Sequence, residues 1–362
     1  MSAEGSGDAR NGTQGLAVPM AIGAAALFGL STPAAKALLE AADPWVLAGL
    51  LYLGAGAGLG LVHLGRLVGR GRVRSEAPVS RSDWPWLLAA IAAGGVAGPV
   101  LLMIGLASAS ASAVALLLNL EGVFTAALAW LAFGEHVGRR VALGMVAITA
   151  GAVALAFAGA GSARIGASAL AVVGACLAWG LDNNLTRKVS ASDPVQIAAL
   201  KGLVAGAANL AIALSLGRRL PGLGAVAGAA AVGLLGYGVS LVLFVRALRD
   251  LGAARTGAYF STAPFLGALG AVAILGEPIT ARLLAAAALM AVGVWLHLTE
   301  RHRHGHAHAV IEHDHAHHHD AHHRHARAPG APGSEPHAHW HWHSVVEHEH
   351  PHYPDTHHRH EH

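Results

Sequence analysis

Ionisable and amide side chains interrupt several long apolar stretches of this sequence. Glu121 lies nine residues into one stretch, Asp182 and Asn183 lie near the end of a second, Lys201 lies seven residues into a third, and Lys36 lies near the end of the first. Charged side chains at bilayer depth are costly, and they most often line a substrate or ion path. A medium of low dielectric favours the protonated form of a carboxyl group, which suits a proton-coupled step at Glu121.

These five residues and Asn119 are the candidates for a substrate pathway, although each also has a structural interpretation. Glu121 could be a protonated or Asn-paired carboxyl that only holds helices together. The cluster Asp182-Asn183-Asn184 could cap a helix end, and Lys36 could reach the membrane surface without a functional role. Lys201 is deep enough to pair with Glu121 or Asp182, whereas Asn119 could simply hydrogen-bond a neighbouring helix.

A second chemistry is concentrated at the C-terminus, where 23 of the 26 histidines follow residue 300. Many alternate with other residues, which places several imidazoles on one side of an extended segment. Imidazole suits zinc, nickel, copper or cobalt, so His-rich tracts are typical of metal binding. The candidate ligands for a divalent metal (Zn, Ni or Co) are His302, His304, His306, His308, His317, His318, His319, His337, His339, His341, His343, His357 and His358.

Two other interpretations of this tail stay open. It contains Pro and Gly and has few aliphatic residues, so we expect disorder without metal, and it could be a polar low-complexity segment with no ligand. Imidazole also titrates near pH 6.5, so a pH-sensing role is the physical runner-up.

The composition excludes a water-soluble globular protein. Hydrophobic residues make up 54 % of the chain and charged residues 12 %, against about a quarter charged in soluble domains. A bilayer core about 30 Å thick requires about 20 helical residues per span. Ten runs have this length: 16–39, 44–65, 84–107, 112–133, 141–160, 165–185, 194–216, 223–245, 256–275 and 281–298. We therefore predict an all-α integral membrane protein with ten transmembrane helices and a disordered tail.

Lys and Arg in the connecting segments predict the orientation. With the N-terminus in the cytoplasm, thirteen of these residues face inside and four face outside, as the positive-inside rule requires. Both termini are then cytoplasmic in a multi-pass protein of the bacterial cytoplasmic membrane. The expected partners are the lipid bilayer, a small-molecule substrate and divalent metal ions; no nucleic acid is expected, and a homodimer is left open.

An internal repeat organises the ten runs. Residues 112–135 resemble residues 254–277 at an offset of 142 positions, and both segments end in Gly-Glu. Five spans in each half force the halves into opposite orientations, the inverted plan of many secondary carriers. The predicted regions are a short cytoplasmic N-terminus (1–15), two five-helix repeats (16–160 and 165–298) and a His-rich cytoplasmic tail (301–362).

The motifs of these spans resemble a known family. The first span contains Phe28-Gly29 followed by Lys36, and the fourth and ninth spans end in Gly-Glu. This pattern resembles the EamA-type carriers of the drug/metabolite transporter superfamily over residues 16–298. The resemblance implies export of a small metabolite without ATP hydrolysis, without enzymatic activity and without a required cofactor. Such carriers usually have Leu-Glu-Pro in the fourth span; here Gly122 follows Glu121, which predicts a looser kink.

Three functions follow from these observations. The first is a secondary exporter of a small metabolite whose tail binds divalent metal to regulate or buffer it. The second is a carrier of the metal ion itself, although the spans contain almost no His or Cys. The third is a membrane-anchored metal buffer or sensor that no longer transports.

Overall fold

The computed structural model describes residues 8–69, 83–133, 137–157, 166–186, 194–299, 305–307, 312–317, 337–342 and 347–349. Its helices, in chain order, are α1 (Asp8–Leu38), α2 (Pro44–Gly69), α3 (Trp84–Ala90), the π-helical segment π1 (Ile91–Ala97), α4 (Gly98–Ser108), α5 (Ala111–Leu117), α6 (Leu120–Phe133), α7 (Arg139–Ala156), α8 (Ala167–Thr186), α9 (Pro194–Ser215), α10 (Leu223–Gly233), the π-helical segment π2 (Leu234–Val239), α11 (Ser240–Phe260), α12 (Ala263–Leu275) and α13 (Ala281–Leu298).

The chain is a multi-pass integral membrane protein whose membrane part is all-α. Within the described residues, nine helical stretches have the length and apolar composition to cross a membrane. The remaining predicted run, 165–185, forms α8, a helix of 20 residues; its Asp182-Asn183-Asn184 cluster lowers its mean hydropathy. Large apolar side chains such as Leu131 (74 % exposed) and Leu223 (88 % exposed) lie on the outside of the bundle, where only lipid can solvate them favourably.

The third and eighth spans both change from α-helix to π-helix and back. Span 3 consists of α3, π1 and α4, and span 8 consists of α10, π2 and the beginning of α11. The two π-helical segments begin 143 positions apart, at Ile91 and Leu234. In span 3 Pro99 follows the π-helical segment, and because it has no N–H it cannot donate to a carbonyl one turn earlier.

Span 4 is broken between α5 and α6 at Leu118 and Asn119. The amide of Asn119 donates to the carbonyl of Leu116 at 2.8 Å, which satisfies a backbone acceptor near the break. Span 9 has the same interruption 143 positions later, at Ser261 and Thr262, just before Pro264. The prediction of a looser kink without proline is therefore wrong, because Asn119 supports a break of span 4 that needs no proline.

A bend lies within α11. The rings of Phe244 and Phe260 have their centroids 4.9 Å apart. Sixteen residues of straight helix would separate them by about 24 Å. The chain must therefore reverse direction between these two residues, so that α11 contributes to both span 8 and span 9.

Close helix pairs depend on glycine. Spans 2 and 7 (α2 and α9) pack together, and a Cβ on Gly206 would lie 2.6 Å from the backbone nitrogen of Leu53 and 2.9 Å from the carbonyl oxygen of Gly49. Spans 5 and 10 (α7 and α13) form a second pair, in which Gly144 and Gly293 meet. Backbones approach this closely only at small residues.

The described part of the tail contains four short strands. β1 (Gly305–Ala307) pairs with β4 (Glu347–Glu349), and β2 (Glu312–His317) pairs with β3 (His337–Trp342); both pairs are antiparallel. The prediction of disorder concerns mainly tail residues outside those described. The candidate ligands outside them are His302, His304, His308, His318, His319, His343, His357 and His358.

Candidate functional site

A buried ion pair joins α9 to α8. Lys201 Nζ lies 2.5 Å from Asp182 Oδ1 and 2.7 Å from Oδ2, and it also donates to the hydroxyl of Thr186 at 3.1 Å. The two charged side chains are only 17 % and 10 % exposed. Thr186 in turn donates to Asp182 Oδ1 at 2.8 Å. Two opposite charges held by additional hydrogen bonds satisfy the condition under which ions are tolerated in a low dielectric.

The π-helical segment π1 packs directly against this pair. A Cβ on Gly94 would overlap the carboxyl group of Asp182. Glycine is therefore required at this position for span 3 to approach α8 so closely. The ion pair consequently lies where spans 3, 6 and 7 meet.

Glu121 lies beside the ion pair, in the first turn of α6. Its Oε1 accepts a hydrogen bond from the amide of Asn183 at 2.9 Å, and that amide also donates to Thr125 Oγ1 at 3.2 Å. The neighbouring Asn184 donates to the Thr125 carbonyl at 3.1 Å. The break before α6 places Glu121 at a helix N-terminus, whose partial positive charge stabilises a carboxylate.

Side chains from three other helices bind the carbonyls of π1. Tyr52 donates through its hydroxyl to the Gly94 carbonyl at 3.0 Å, and Trp179 Nε1 donates to the same oxygen at 2.8 Å. Asn209 donates to the Gly95 carbonyl at 2.9 Å. In a π-helix an N–H at position 99 would donate to the Gly94 carbonyl, and in an α-helix it would donate to the Gly95 carbonyl. Pro99 has no N–H, so neither carbonyl receives this hydrogen bond. Satisfying them with side chains connects spans 2, 6 and 7 to span 3.

A row of aromatic rings continues from Tyr52 across the bundle. Tyr52 and Tyr237 have ring centroids 5.8 Å apart, Tyr237 and Phe28 are also 5.8 Å apart, and Phe28 lies 5.5 Å from Phe260. These residues come from spans 2, 8, 1 and 9. The polar cluster around Asp182 is thus linked through Gly94 and Tyr52 to an aromatic row.

Comparison with known proteins identifies the scaffold that carries these residues. The profile of the EamA-like transporter family matches residues 15–157 and again residues 166–299. The chain belongs to the EamA-like transporter family.

Two relatives and one solved structure are similar to this chain. An uncharacterized transporter of Methanothermobacter thermautotrophicus is 31 % identical over 289 residues, which cover 76 % of this chain and 84 % of the relative. An uncharacterized protein of Pseudomonas aeruginosa is 33 % identical over 179 residues, 49 % of this chain and 61 % of that protein. A crystal structure of a protein with 20 % identity shares the fold, with a TM-score of 0.56, over 76 % of this chain and 94 % of that one.

Four of the six predicted pathway residues come together in this EamA-like transporter. They form two pairs, Glu121 with Asn183 and Lys201 with Asp182, which meet at the adjacent residues Asp182 and Asn183; Asp182 is one of the two predicted partners of Lys201. Asn119 is buried at the break of span 4, where its amide lies 3.8 Å from the sulfur of Met290 in span 10.

Lys36 also lies apart from the cluster. Its Nζ donates to the carbonyls of Leu106 and Ala107, at 2.7 and 3.1 Å, at the end of α4. Glu277 accepts from the backbone N–H groups of Ala111 and Ser112, at 2.6 and 2.9 Å, and so binds the N-terminus of α5. Glu135, its counterpart in the first half, lies outside the described residues.

Sequence reasoning did not identify Tyr52, Thr125 or Trp179 as site residues of this EamA-like transporter. None of them is charged, and aromatic or hydroxyl side chains within an apolar run are ordinary. The one available signal was Pro99, because a proline within a span frees carbonyls that neighbouring side chains must satisfy.

Proposed function

We propose that this membrane transporter is a secondary carrier that exports a small metabolite across the bacterial cytoplasmic membrane, with both termini in the cytoplasm. The observation that carries the proposal is the Lys201–Asp182 ion pair beside Glu121, which lies midway along the apolar stretch Ala111–Ala132. The cluster contains two carboxyl groups, those of Glu121 and Asp182, and one ammonium group, that of Lys201. The carboxyl group that is not paired with Lys201 can take up and release a proton during a transport cycle. The outward direction rests on the resemblance to exporters.

The two halves of the bundle support a carrier built as an inverted repeat. The family profile matches twice, the π-helical segments of spans 3 and 8 begin 143 positions apart, and so do the breaks of spans 4 and 9. Span 6 packs against spans 3 and 4, and span 1 packs correspondingly against spans 8 and 9. Carriers of this plan bind substrate near the midplane between halves and rock the halves around it.

The membrane part favours a metabolite over a metal ion as the cargo. Within the described residues no three His, Cys, Asp or Glu side chains come together in a group that could hold a metal ion. Zinc, nickel and cobalt require nitrogen or sulfur ligands for tight binding. Cys176 is buried and its sulfur lies 3.5 Å from the carbonyl of Leu117, so it is a packing residue.

Transport in proteoliposomes with an imposed pH gradient tests the proposal. A library of amino acids and related metabolites is screened for uptake into vesicles that carry the protein, against empty vesicles. For any substrate found, Glu121→Gln should abolish the acceleration by the pH gradient, whereas Glu121→Asp should keep part of it. If the pH gradient still accelerates transport by Glu121→Gln, then Glu121 does not couple transport to protons. If the protein carries none of the compounds, including metal ions, then the third function, a membrane-anchored metal buffer or sensor, is favoured.

Divalent metal binding by the tail is a second candidate activity, and the register of β2 and β3 favours it. His313 is opposite His341, His315 is opposite His339, and His317 is opposite His337. Alternate positions of a strand share a face, and directly opposite Cβ atoms are about 4.5–5.5 Å apart. Six histidine positions therefore share one face of the ribbon. In β1 and β4, His306 is likewise opposite His348.

Nickel or zinc titration of the purified full chain tests this activity against the chain truncated after Glu300. We expect truncation to abolish high-affinity binding. The triple change of His313, His315 and His317 to Ala should lower the amount of bound metal more than the triple change of His302, His304 and His308 to Ala, which lie outside β2 and β3. Equal metal binding by the full and truncated chains would refute the tail as a metal site. In cells, metal resistance that depends on the tail alone would indicate that the protein buffers or senses metal.

A further inference from the structure

Lys36 and Glu277 hold the two ends of the turn between spans 3 and 4. The ammonium of Lys36 binds the carbonyls of Leu106 and Ala107 in the last turn of α4. The carboxyl of Glu277 binds two N–H groups at the start of α5. A cation at a helix C-terminus and an anion at a helix N-terminus each complement the local partial charge.

The position of Glu277 depends on the residue before it. Gly276 ends α12 with φ of 68°, in the left-handed region that glycine adopts without strain. This backbone conformation turns the chain after span 9 so that the next residue reaches α5. Glu277 is thus held by a helix C-cap and is not at the end of a freely moving loop.

The two contacts connect different groups of helices. Lys36 lies in the last turn of α1, and Glu277 follows Gly276, the C-cap of α12. Helix α1 packs extensively against α11 and α12. The turn that they hold belongs to α4 and α5. Helix α4 packs against α8, whereas α5 packs mainly against α12 and continues through Asn119 into α6, which packs against α8. Both contacts therefore join the group of spans 1, 8 and 9 to the group of spans 3, 4 and 6 at one end of the bundle.

From this arrangement we infer that Lys36 and Glu277 form a latch, which closes the path between the two helix groups at this end and opens when substrate passes. The inference rests on the proposed function, since it assumes a carrier whose helix groups move relative to one another. Such a carrier needs contacts that exist in one state and break in the other. The distribution of Lys and Arg predicts that the latch faces the outside of the cell.

Thiol labelling measures opening directly. In a Cys176→Ala background, the reporter changes Ser112→Cys and, in a separate chain, Ala115→Cys introduce thiols at positions that are 2 % and 1 % exposed. Ala115 lies deeper in span 4, where it faces Gly267 of span 9. Each reporter chain is reconstituted in vesicles and treated with a membrane-impermeant maleimide from either face.

Lys36→Met removes both charge-assisted hydrogen bonds of Lys36, and Glu277→Gln removes the charge and one of the two acceptor oxygens of Glu277. Each should accelerate labelling of both reporters by about tenfold or more, the effect of losing at least one charge-assisted hydrogen bond from the closed state. Lys36→Arg keeps the donors and should label as slowly as the reporter chain alone. The matched control is Arg282→Met: Arg282 also binds a helix-end carbonyl, that of Phe157 at 2.9 Å, but it joins spans 5 and 10. This control should leave labelling unchanged.

Unchanged labelling in both latch variants would overturn the inference, as would acceleration at Ser112→Cys without acceleration at Ala115→Cys, because that result describes fraying of α5 alone. Acceleration only from the inner face would keep the latch and reverse the orientation. No substrate is present in the assay, so a failure of the proposed transport leaves this result standing, and an absent latch leaves the transport assay unaffected. Comparable yield and thermal stability of Lys36→Arg and Lys36→Met would show that the faster labelling is not due to misfolding.

Discussion

The hydroxyl of Tyr52 and the indole N–H of Trp179 converge on one backbone oxygen, that of Gly94, from distances of 3.0 and 2.8 Å. This oxygen belongs to the π-helical segment that also packs against the Lys201–Asp182 ion pair. Two donors on one acceptor mean that either can be lost without leaving the carbonyl unpaired. The geometry of the polar cluster therefore depends on Tyr52 and Trp179 jointly.

A double-mutant cycle tests this joint dependence. Tyr52→Phe and Trp179→Phe alone should each lower the free energy of unfolding by about 1 kcal/mol or less, apart from packing losses, because one donor remains. The double variant leaves the Gly94 carbonyl without either donor and should cost about 1–3 kcal/mol beyond the sum. Thermal or denaturant unfolding in detergent measures the three values, and additivity would show that the two hydrogen bonds act independently.

For variants of the Lys201–Asp182 ion pair we also expect non-additive changes in the free energy of unfolding. Lys201→Met leaves the buried Asp182 carboxylate without its cation, and Asp182→Asn leaves the ammonium without its anion, so each should cost about 3–5 kcal/mol. The double variant Lys201→Met, Asp182→Asn removes both charges and should be more stable than either single variant. Transport should be lost in all three if the pair takes part in the cycle.

The control for the ion-pair variants is a substitution that keeps the positive charge. Lys201→Arg keeps a cation within reach of Asp182 and should retain more stability than Lys201→Met. If the double variant is less stable than both single variants, then the two side chains contribute through packing and not through their mutual charge.

Much of the fold is readable from the sequence because membrane spans need long apolar runs. Nine of the ten runs predicted from length and hydropathy correspond to helical stretches of the described residues that are long and apolar enough to cross a membrane, and the run 165–185 forms α8, whose last turns are polar. The interior of these spans is less predictable, since hydropathy has no signal for π-helical register. The break at Leu118 and Asn119 is also hard to predict, because no proline follows Glu121. The break is stabilised by the side chain of Asn119, which a sequence pattern does not distinguish from other polar residues.

The candidate site was predictable in its charges and not in its geometry. Glu121, Asp182 and Lys201 stand out because ionisable residues within apolar runs are rare. Their arrangement depends on Gly94, one of many glycines in the chain, and on uncharged donors from three helices. Lys36 carries the same charge signal as Lys201 but lies at a helix end, and only the fold distinguishes the two positions.

The variant Gly94→Ala tests how closely π1 must pack against Asp182. The added methyl would overlap the Asp182 carboxyl group, and overpacking of this kind costs about 1–3 kcal/mol when neighbours must shift. Gly122→Ala is the matched control, because Gly122 lies next to Glu121 and a Cβ there meets no atom within 4 Å; in a helix it should be neutral or stabilise by up to about 1 kcal/mol. Unfolding in detergent gives the stabilities, and vesicle transport should fall for Gly94→Ala alone. Equal behaviour of the two variants would show that π1 can move away from α8 without affecting the ion pair.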